Sequence, residues 1–354
     1  MKNISFFFLV FFITNILCGQ IPNGYYDKAQ GISGATLKTV LYNIIKGHTV
    51  QTYTPGVWNA FLTTDKKANG KVWDMYSDVP GGIPPYEWTF VTQQCGNYSG
   101  EGNCYNREHS FPQSWFNDAT PMTTELFHIY PTDGFVNSKR SNYPFGEVTS
   151  PSWTSRNGSK LGSNSTAGYS GTVFEPINEY KGDFARTYFY MATRYEDVIK
   201  NWNSVVLDKS AFPVYVKWHL DLLIKWHEQD PVSQKELERN NAVYLIQKNR
   251  NPFIDYPEFV ASIWGIQTGL DDSIITSEIR IFPNPAKDWI QIDGNLKLNS
   301  RVRLFNYLGQ FVLEFDYQSN SDNSLDISHL TPGLYILQFQ HTELGNQNLI
   351  LIKQ

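Results

Sequence analysis

Positive charge is in short supply in this sequence. Its 29 Lys and Arg are outweighed by 34 Asp and Glu, a formal net charge of -5. Over residues 20–266 the balance is 22 against 24. A protein that gathers polyanions through a global basic field is therefore excluded. An anionic polymer would have to meet a local cationic patch or a bound cation. Cysteine is scarcer, with only Cys18, Cys95 and Cys104. Once an N-terminal export signal is set aside, two remain, too few for a structural zinc site built on four ligands. Long apolar runs are also missing beyond the N-terminus, and no internal repeat links the two halves of the chain.

The N-terminal run itself reads as a secretory signal. Lys2 supplies the charge, residues 4–17 are apolar except for Ser5, Thr14 and Asn15, and Leu17-Cys18-Gly19 precedes Gln20 as a cleavage site. The run is too short, and too promptly followed by polar sequence, for a membrane span. No stable span is expected in the mature protein. Leu17 is not the small residue that precedes a lipidated cysteine, which argues against an anchor at Cys18. In an exported chain two close cysteines default to a disulfide, so Cys95 and Cys104 are expected to pair around their Gly- and Asn-rich loop.

What the sequence has is apolar and aromatic bulk. Hydrophobic residues make up 41 %, with 10 Trp, 21 Tyr and 23 Phe, enough for a sizeable core and against disorder. A length of 354 residues suits one large domain and one small one. The spacing of Leu37, Leu41, Ile44 and Ile45 predicts a helix over 36–48, with a shorter one at 57–62. Residues 86–91 (YEWTFV) read as a strand and the Ser/Thr/Gly-rich stretch 150–170 as a long surface loop. Helices follow at 183–201 and 212–229. A third opens on the capping box Ser233/Glu236 and runs to about Lys248, with Pro252 and Pro257 ending the helical stretch. Residues 267–276 form a polar linker. From 277 to 354 short alternating strands, broken at Pro283-Asn284-Pro285 and Pro332-Gly333, describe a small all-β sandwich.

Chemistry concentrates in 106–142. Asn106-Arg107-Glu108-His109 ends a strand, residues 127–130 form a second strand closed by Pro131, and Thr132 or Asp133 caps a helix starting at Gly134. Asn137 then lies in the first turns, with Arg140 three residues on. Phosphodiester hydrolysis needs a base for water, a cation for the charge developing on phosphorus, and a cationic side chain on the phosphate. His109 supplies the first, a carboxylate and an amide oxygen suit Mg²⁺ or another hard divalent cation for the second, and Arg107, Lys139 and Arg140 supply the third. Neighbours on a regular strand face opposite ways, so Glu108 and His109 share a site only at a strand end or bulge.

At these residues the sequence resembles the bacterial endonuclease I family of ββα-metal (His-Me finger) nucleases. The carrying segments are NREHSFP at 106–112, HIYPTDGFVNSKRSNYPFG at 128–146, and WHEQDPVSQKELERN with NRNPFIDYPE within 226–258. The resemblance implies an α+β chain with a mainly helical catalytic domain over 20–266 containing a ββα-metal finger. It implies endonucleolytic cleavage of DNA, in some members also RNA. By position, His109 would be the general base, Glu108 and Asn137 the Mg²⁺ ligands, and Arg140 the phosphate-contacting arginine. Ile129 stands where many members carry Asn or His. IRIFPNPAKD at 279–288, VRLFNYLGQ at 302–310 and SLDISHLTPGLYIL at 324–337 resemble type A sorting domains of the type IX secretion system. This implies passage through the periplasm to the cell surface or medium, with the secretion machinery as a partner.

Other residues keep plainer readings. His128 either orients the site or satisfies a backbone partner in the core. Asn142 is a turn residue before it is a ligand. Glu125 supports Arg107 or His109, or lies in a solvated loop. Arg239, Arg250 and Asp255 belong to the framework, and His48, His219, His227, His329 and His341 are structural. The competing function is an inactive secreted protein that binds nucleic acid or a surface. A binding module has no use for His109, Glu108 and Asn137 together.

Overall fold

The structure, a computed structural model, describes residues 21–265, 280–293, 300–306, 310–317, 324–341 and 345–354. The expected signal (1–19) and linker (267–276) lie outside these residues. The chain divides into two compact units at residue 266/267. Helices and small antiparallel sheets together make it α+β.

The first unit opens with α1 (Gly34–Ile45) and α2 (Gly56–Thr64). Leu37, Leu41 and Ile45, one helical turn apart, are wholly buried, which is why this segment is a helix and which face it turns inward. At the centre lies α4 (Lys181–Arg194), every residue of which is buried. A helix this deep is expected to be apolar all round, yet it carries charged and polar side chains, the charged ones each with a partner. Lys181 meets Glu175 at 2.7 Å, Asp183 meets Lys235 at 2.6 Å, and Arg186 meets Glu236 at 2.5 Å. Thr187 bonds Tyr130, and Arg194 bonds His48. Buried charge is tolerated only when matched in this way. The helix stops at Arg194, short of the expected 201, because Tyr195 leaves helical backbone (φ -115°, ψ 31°).

Two further helices, α5 (Lys217–Gln229) and α6 (Gln234–Gln247), follow. The Ser233/Glu236 capping box is present, and Glu236 also takes Arg186. Lys248, at φ 68°, ends α6. Pro252 does not end the helical run as expected. It occupies the first turn of α7 (Pro252–Asp255), where its missing N–H costs nothing, and Asn251 caps the Phe253 N–H. The short α8 (Phe259–Trp264) completes the unit.

Two other expectations fail. Residues 86–91 form no strand; Val91 adopts φ 68°, and the segment is pinned instead by buried Trp88, whose Nε1–H donates to Asp74. Residues 150–170 are not one long loop. About half of them lie in strands of a three-stranded antiparallel sheet of β3 (Val148–Thr154), β4 (Lys160–Asn164) and β5 (Thr172–Glu175). Most of β3 is exposed, so it needs no apolar alternation, and its pairing lives in backbone hydrogen bonds that composition does not reveal.

The second unit is all β among the described residues. One sheet has β6 (Arg280–Phe282), β7 (Trp289–Asp293) and β10 (Ser324–Asp326). The other has β8 (Ser300–Asn306), β9 (Phe311–Tyr317), β11 (Gly333–His341) and β12 (Gly345–Lys353). Alternating Val302 and Leu304, and Tyr335, Leu337 and Phe339, join Ile290 and Ile292 in one apolar cluster between the sheets.

His219 is an unusual member of the first core. It is fully buried among Tyr188, Tyr215 and Trp218, and neither ring nitrogen has a hydrogen-bond partner among the described residues. Burial pushes its pKa down to about 3. Between the unfolded value near 6.5 and that value, the unfolded chain binds the extra proton. Stability from this group is therefore complete above about pH 6.5 and is lost as pH falls, by about 1.4 kcal/mol per unit. His219→Phe should remove this contribution. Denaturant titrations at pH 7.5 and 5 should show a smaller acid penalty in the variant, and equal penalties would contradict the reading.

Candidate active site

The site grows from one compact stretch of chain. Strand β1 (Tyr105–His109) pairs antiparallel with β2 (Ile129–Asp133), in unbroken register from Tyr105 opposite Asp133 to His109 opposite Ile129. The second strand runs past Pro131 rather than closing on it. The proline lies opposite Arg107 and is tolerated because this sheet has only two strands. Asp133 is the cap of α3 (Gly134–Arg140): its Oδ1 accepts from the Val136 N–H at 2.9 Å and its Oδ2 from the Gly102 N–H at 2.7 Å. Gly134 is required at the join, since a Cβ there would sit 2.6 Å from the Tyr98 ring.

The Cys95–Cys104 disulfide sits just upstream, with Cα atoms 5.8 Å apart. The Cys104 carbonyl receives the Gly134 N–H, and Cys95 N–H donates to the Tyr105 carbonyl. The bridge thus fastens the entry to β1 and the start of α3 together. Closing a loop of this length is worth roughly 2–3 kcal/mol by chain entropy. Cys95→Ser/Cys104→Ser should lower the denaturation free energy by about that much, as read by chemical unfolding with and without reductant. A reductant effect equal in both proteins would remove the bridge from this role.

Arg107, Glu108, His109, Asn137 and Asn142 line one open cavity of about 450 Å³, together with Gln113, Ser114 and Asp118. No bulge interrupts β1, so Glu108 and His109 reach the same cavity at the strand's end. Arg107 packs flat on Tyr53 (3.5 Å) and Trp58 (4.6 Å), and donates to the Tyr53 carbonyl at 2.5 Å and to Thr54 Oγ1 at 2.9 Å.

His109 is buried, and its Nε2 lies 3.1 Å from the Thr123 carbonyl. A carbonyl only accepts, so Nε2 carries the proton and Nδ1 keeps the lone pair. Burial, aided by the nearby Arg107 and Arg140 guanidinium groups, pushes the imidazole down to about 4, against the raising effect of the Thr123 bond. The ring is neutral at physiological pH.

Asn137 uses its amide N–H₂ to donate to Asn106 Oδ1 at 2.8 Å and to the Arg107 carbonyl at 3.3 Å, which leaves Oδ1 as an acceptor with no donor among the described residues. Glu108 Oε1 accepts from Tyr76 Oη at 2.9 Å and faces Arg140 at 3.1 Å. Burial raises the carboxyl pKa, opposed by Arg140 and by the Tyr76 hydrogen bond. Among the described residues no cluster of three or more His, Cys, Asp or Glu could cage a metal. A carboxylate plus an amide oxygen nonetheless fits Mg²⁺, which keeps several waters and takes few protein ligands.

Arg140 is placed differently from the expectation. It is 1 % exposed and does not line the cavity. Its guanidinium donates to the main-chain carbonyls of His109 (2.9 Å) and Ser110, and faces the Tyr188 hydroxyl at 3.4 Å. It lies behind the site, clamping the end of β1. His128 is fully buried, with Nε2 2.7 Å from the Met122 carbonyl and its ring 5.4 Å from that of His109. Burial pushes its pKa well down. It backs His109 from the core. Asn142 is exposed in the turn after α3, on the cavity rim.

Glu125 supports neither Arg107 nor His109. It is fully buried and takes Gln247 at 2.5 Å, Tyr195 at 3.2 Å and His48 at 3.4 Å. Arg239 with Asp65, and Arg250 with Asp255, are framework ion pairs as read. No local signal marks Tyr53, Tyr76 or the Thr123 carbonyl, whose places come from packing. Asn106 was legible within its motif, and its role is to orient the Asn137 amide.

The enzyme class carried by this fold is the nucleases, hydrolases of phosphodiesters. The chain belongs to the Endonuclease I family, whose model matches residues 33–258. Residues 280–353 match the secretion system C-terminal sorting domain, which makes this a secreted or cell-surface protein with the secretion machinery as a partner. An extracellular ribonuclease of Bacillus amyloliquefaciens is 36 % identical over 249 residues, covering 68 % of this chain and 78 % of that protein. One from Bacillus subtilis is 33 % identical over 246 residues, with the same coverage. An extracellular deoxyribonuclease of Aeromonas hydrophila is 26 % identical over 202 residues, covering 54 % of this chain and 68 % of its own. The motif resemblance is thereby confirmed. No helix among the described residues is long and apolar enough to cross a membrane.

Proposed function

We propose that the protein is a secreted, Mg²⁺-dependent endonuclease that cleaves both RNA and DNA, with β1, β2 and α3 as a ββα-metal finger. One observation carries the reading: a neutral His109, a buried Glu108 carboxylate and an oriented Asn137 amide oxygen converge on one cavity. His109 Nδ1 takes a proton from a water in the cavity as that water bonds to phosphorus and the ester P–O bond to the leaving oxygen breaks, while the Nε2–H bond to Thr123 holds the tautomer and the ring plane. Glu108 Oε2 and Asn137 Oδ1 would hold Mg²⁺, which when bound supplies positive charge to the phosphate and the leaving oxygen. Arg107, at the rim, meets a phosphate oxygen. Arg140 positions Glu108 and the end of β1 rather than touching substrate.

An attacking water makes no demand on a 2′-hydroxyl, so either sugar serves. The similarity to both ribonucleases and a deoxyribonuclease supports this breadth. Catalysis is assigned to residues 20–266 and export to residues 277–354, since all the proposed site residues precede the division at 266/267.

The test is incubation of purified protein with double-stranded DNA, single-stranded DNA and RNA, in Mg²⁺ or EDTA. Cleavage of RNA and DNA in Mg²⁺ and none in EDTA is expected. Binding without cleavage under every divalent cation would leave the inactive-protein reading instead. Asn137→Ala should raise the Mg²⁺ midpoint and recover partly in excess Mg²⁺. If its rate and midpoint match wild type, Asn137 is not a ligand.

A further inference from the structure

Next to the catalytic cavity lies a second one of about 510 Å³, within the ~300–1,000 Å³ of small-ligand pockets. The two share Ser114 and Asn142, so they adjoin. Their chemistry differs. The first is lined by Arg107, Glu108, His109 and Asp118, whereas none of the residues lining the second is charged. Its walls are aromatic rings and amides: Trp115, Tyr143, Tyr169, Asn142 and Asn203.

Each wall is built for contact. Tyr169 is already stacked on Trp218, with centroids 5.0 Å apart and planes 6° apart, which makes it a rigid side. Trp115 is buried, and its carbonyl receives the Asn203 N–H at 2.9 Å, tying two walls together. Tyr143 is 37 % exposed. Its backbone N–H is anchored to the Arg140 carbonyl at the end of α3. Asn203 Oδ1 accepts from Lys209 Nζ at 3.0 Å, leaving its N–H₂ to donate. The Asn142 amide makes no hydrogen bond among the described residues.

A phosphate would find no cation in this lining, and an aliphatic ligand would leave the amides unmet. A planar heteroaromatic ring with polar edges satisfies both features: a face for Tyr143 and edge atoms for Asn142 and Asn203. We propose that this cavity is a nucleobase subsite, which takes the base of a nucleotide flanking the scissile phosphate. The inference rests on the nuclease reading above and says where that enzyme grips its substrate. Stacking of this kind is tolerant of base identity. It therefore adds affinity without forcing a strict sequence preference.

The test uses short single-stranded oligonucleotides with an abasic unit scanned through the positions around each bond, and cleavage mapped bond by bond. At one position relative to the cut, the abasic unit should lower wild-type kcat/KM roughly tenfold or more. Tyr143→Ala should cut intact substrate slower by a similar factor and be indifferent to the abasic unit there. Tyr143→Phe, which keeps the ring, should behave as wild type. In EDTA, where nothing is cut, 2-aminopurine at that position should be quenched by wild type and Tyr143→Phe and less by Tyr143→Ala. If Tyr143→Ala shows the wild-type abasic penalty at every position, or if quenching does not depend on Tyr143, the subsite is refuted. A wild-type protein that cuts no nucleic acid would fail the nuclease reading instead, and the quenching experiment would still decide the subsite.

Discussion

His109→Ala should cut kcat/KM on both RNA and DNA by on the order of 100- to 10,000-fold, the usual consequence of removing a general base. The magnitude follows from position. His109 is the neutral imidazole lining the cavity, its Nε2–H is committed to Thr123, and no second histidine lines the same cavity. His128, the nearest candidate for substitution, is fully buried with Nε2 committed to the Met122 carbonyl. It cannot move forward without leaving that acceptor unmet. Added imidazole should restore part of the lost rate, which a purely structural histidine would not allow. The Mg²⁺ midpoint should stay near that of wild type, separating base loss from ligand loss. A folded His109→Ala protein with near-native turnover would remove His109 from this role.

Arg140→Ala should act on stability first. Its guanidinium faces Glu108 at 3.1 Å and donates to the carbonyls of His109 and Ser110, all buried. Removing it strips the buried Glu108 of its cation, leaving only the Tyr76 hydroxyl on that carboxylate, and takes a donor from the His109 carbonyl, while Ser110 keeps the Tyr188 hydroxyl at 3.0 Å, a loss of about 3–5 kcal/mol. For a unit of this size that corresponds to a fall in Tm of roughly 6–10 °C. The double variant Glu108→Gln/Arg140→Met should be more stable than Arg140→Ala, since it removes the stranded charge as well. An arginine that contacts phosphate would behave in the opposite manner: Arg140→Ala would melt near wild type and lose only substrate affinity. Thermal melts of the three proteins therefore separate a positioning residue from a substrate contact.

Local signals carried much of the architecture. The four-residue spacing of Leu37, Leu41 and Ile45 specified α1, and Ser233 with Glu236 specified the start of α6, because both depend on the backbone's own geometry. The same local logic failed at Pro252. A proline stops a helix or opens one according to the residue before it, and Asn251 was the cap that decided. It failed again at 150–170, where small polar residues pair through backbone groups that every sequence possesses.

For the site, local patterning sets the cast and its order: Arg107, Glu108 and His109 on one strand, Asn137 on the helix that follows, two cysteines close enough to join, and a β-rich sorting tail. Those features are short-range, set by spacing and residue chemistry. Which way each side chain is used depends on the closed fold. Arg140 turns inward because Glu108, the β1 carbonyls and Tyr188, 48 residues away, surround it. The His109 tautomer is fixed by a carbonyl 14 residues on, and Glu108 is held by Tyr76, 32 residues before it. The low pKa of His109 comes from burial, which arises only when distant segments exclude water together. Spacing along a chain encodes periodicity, whereas desolvation and long-range partners exist only once the chain has closed on itself.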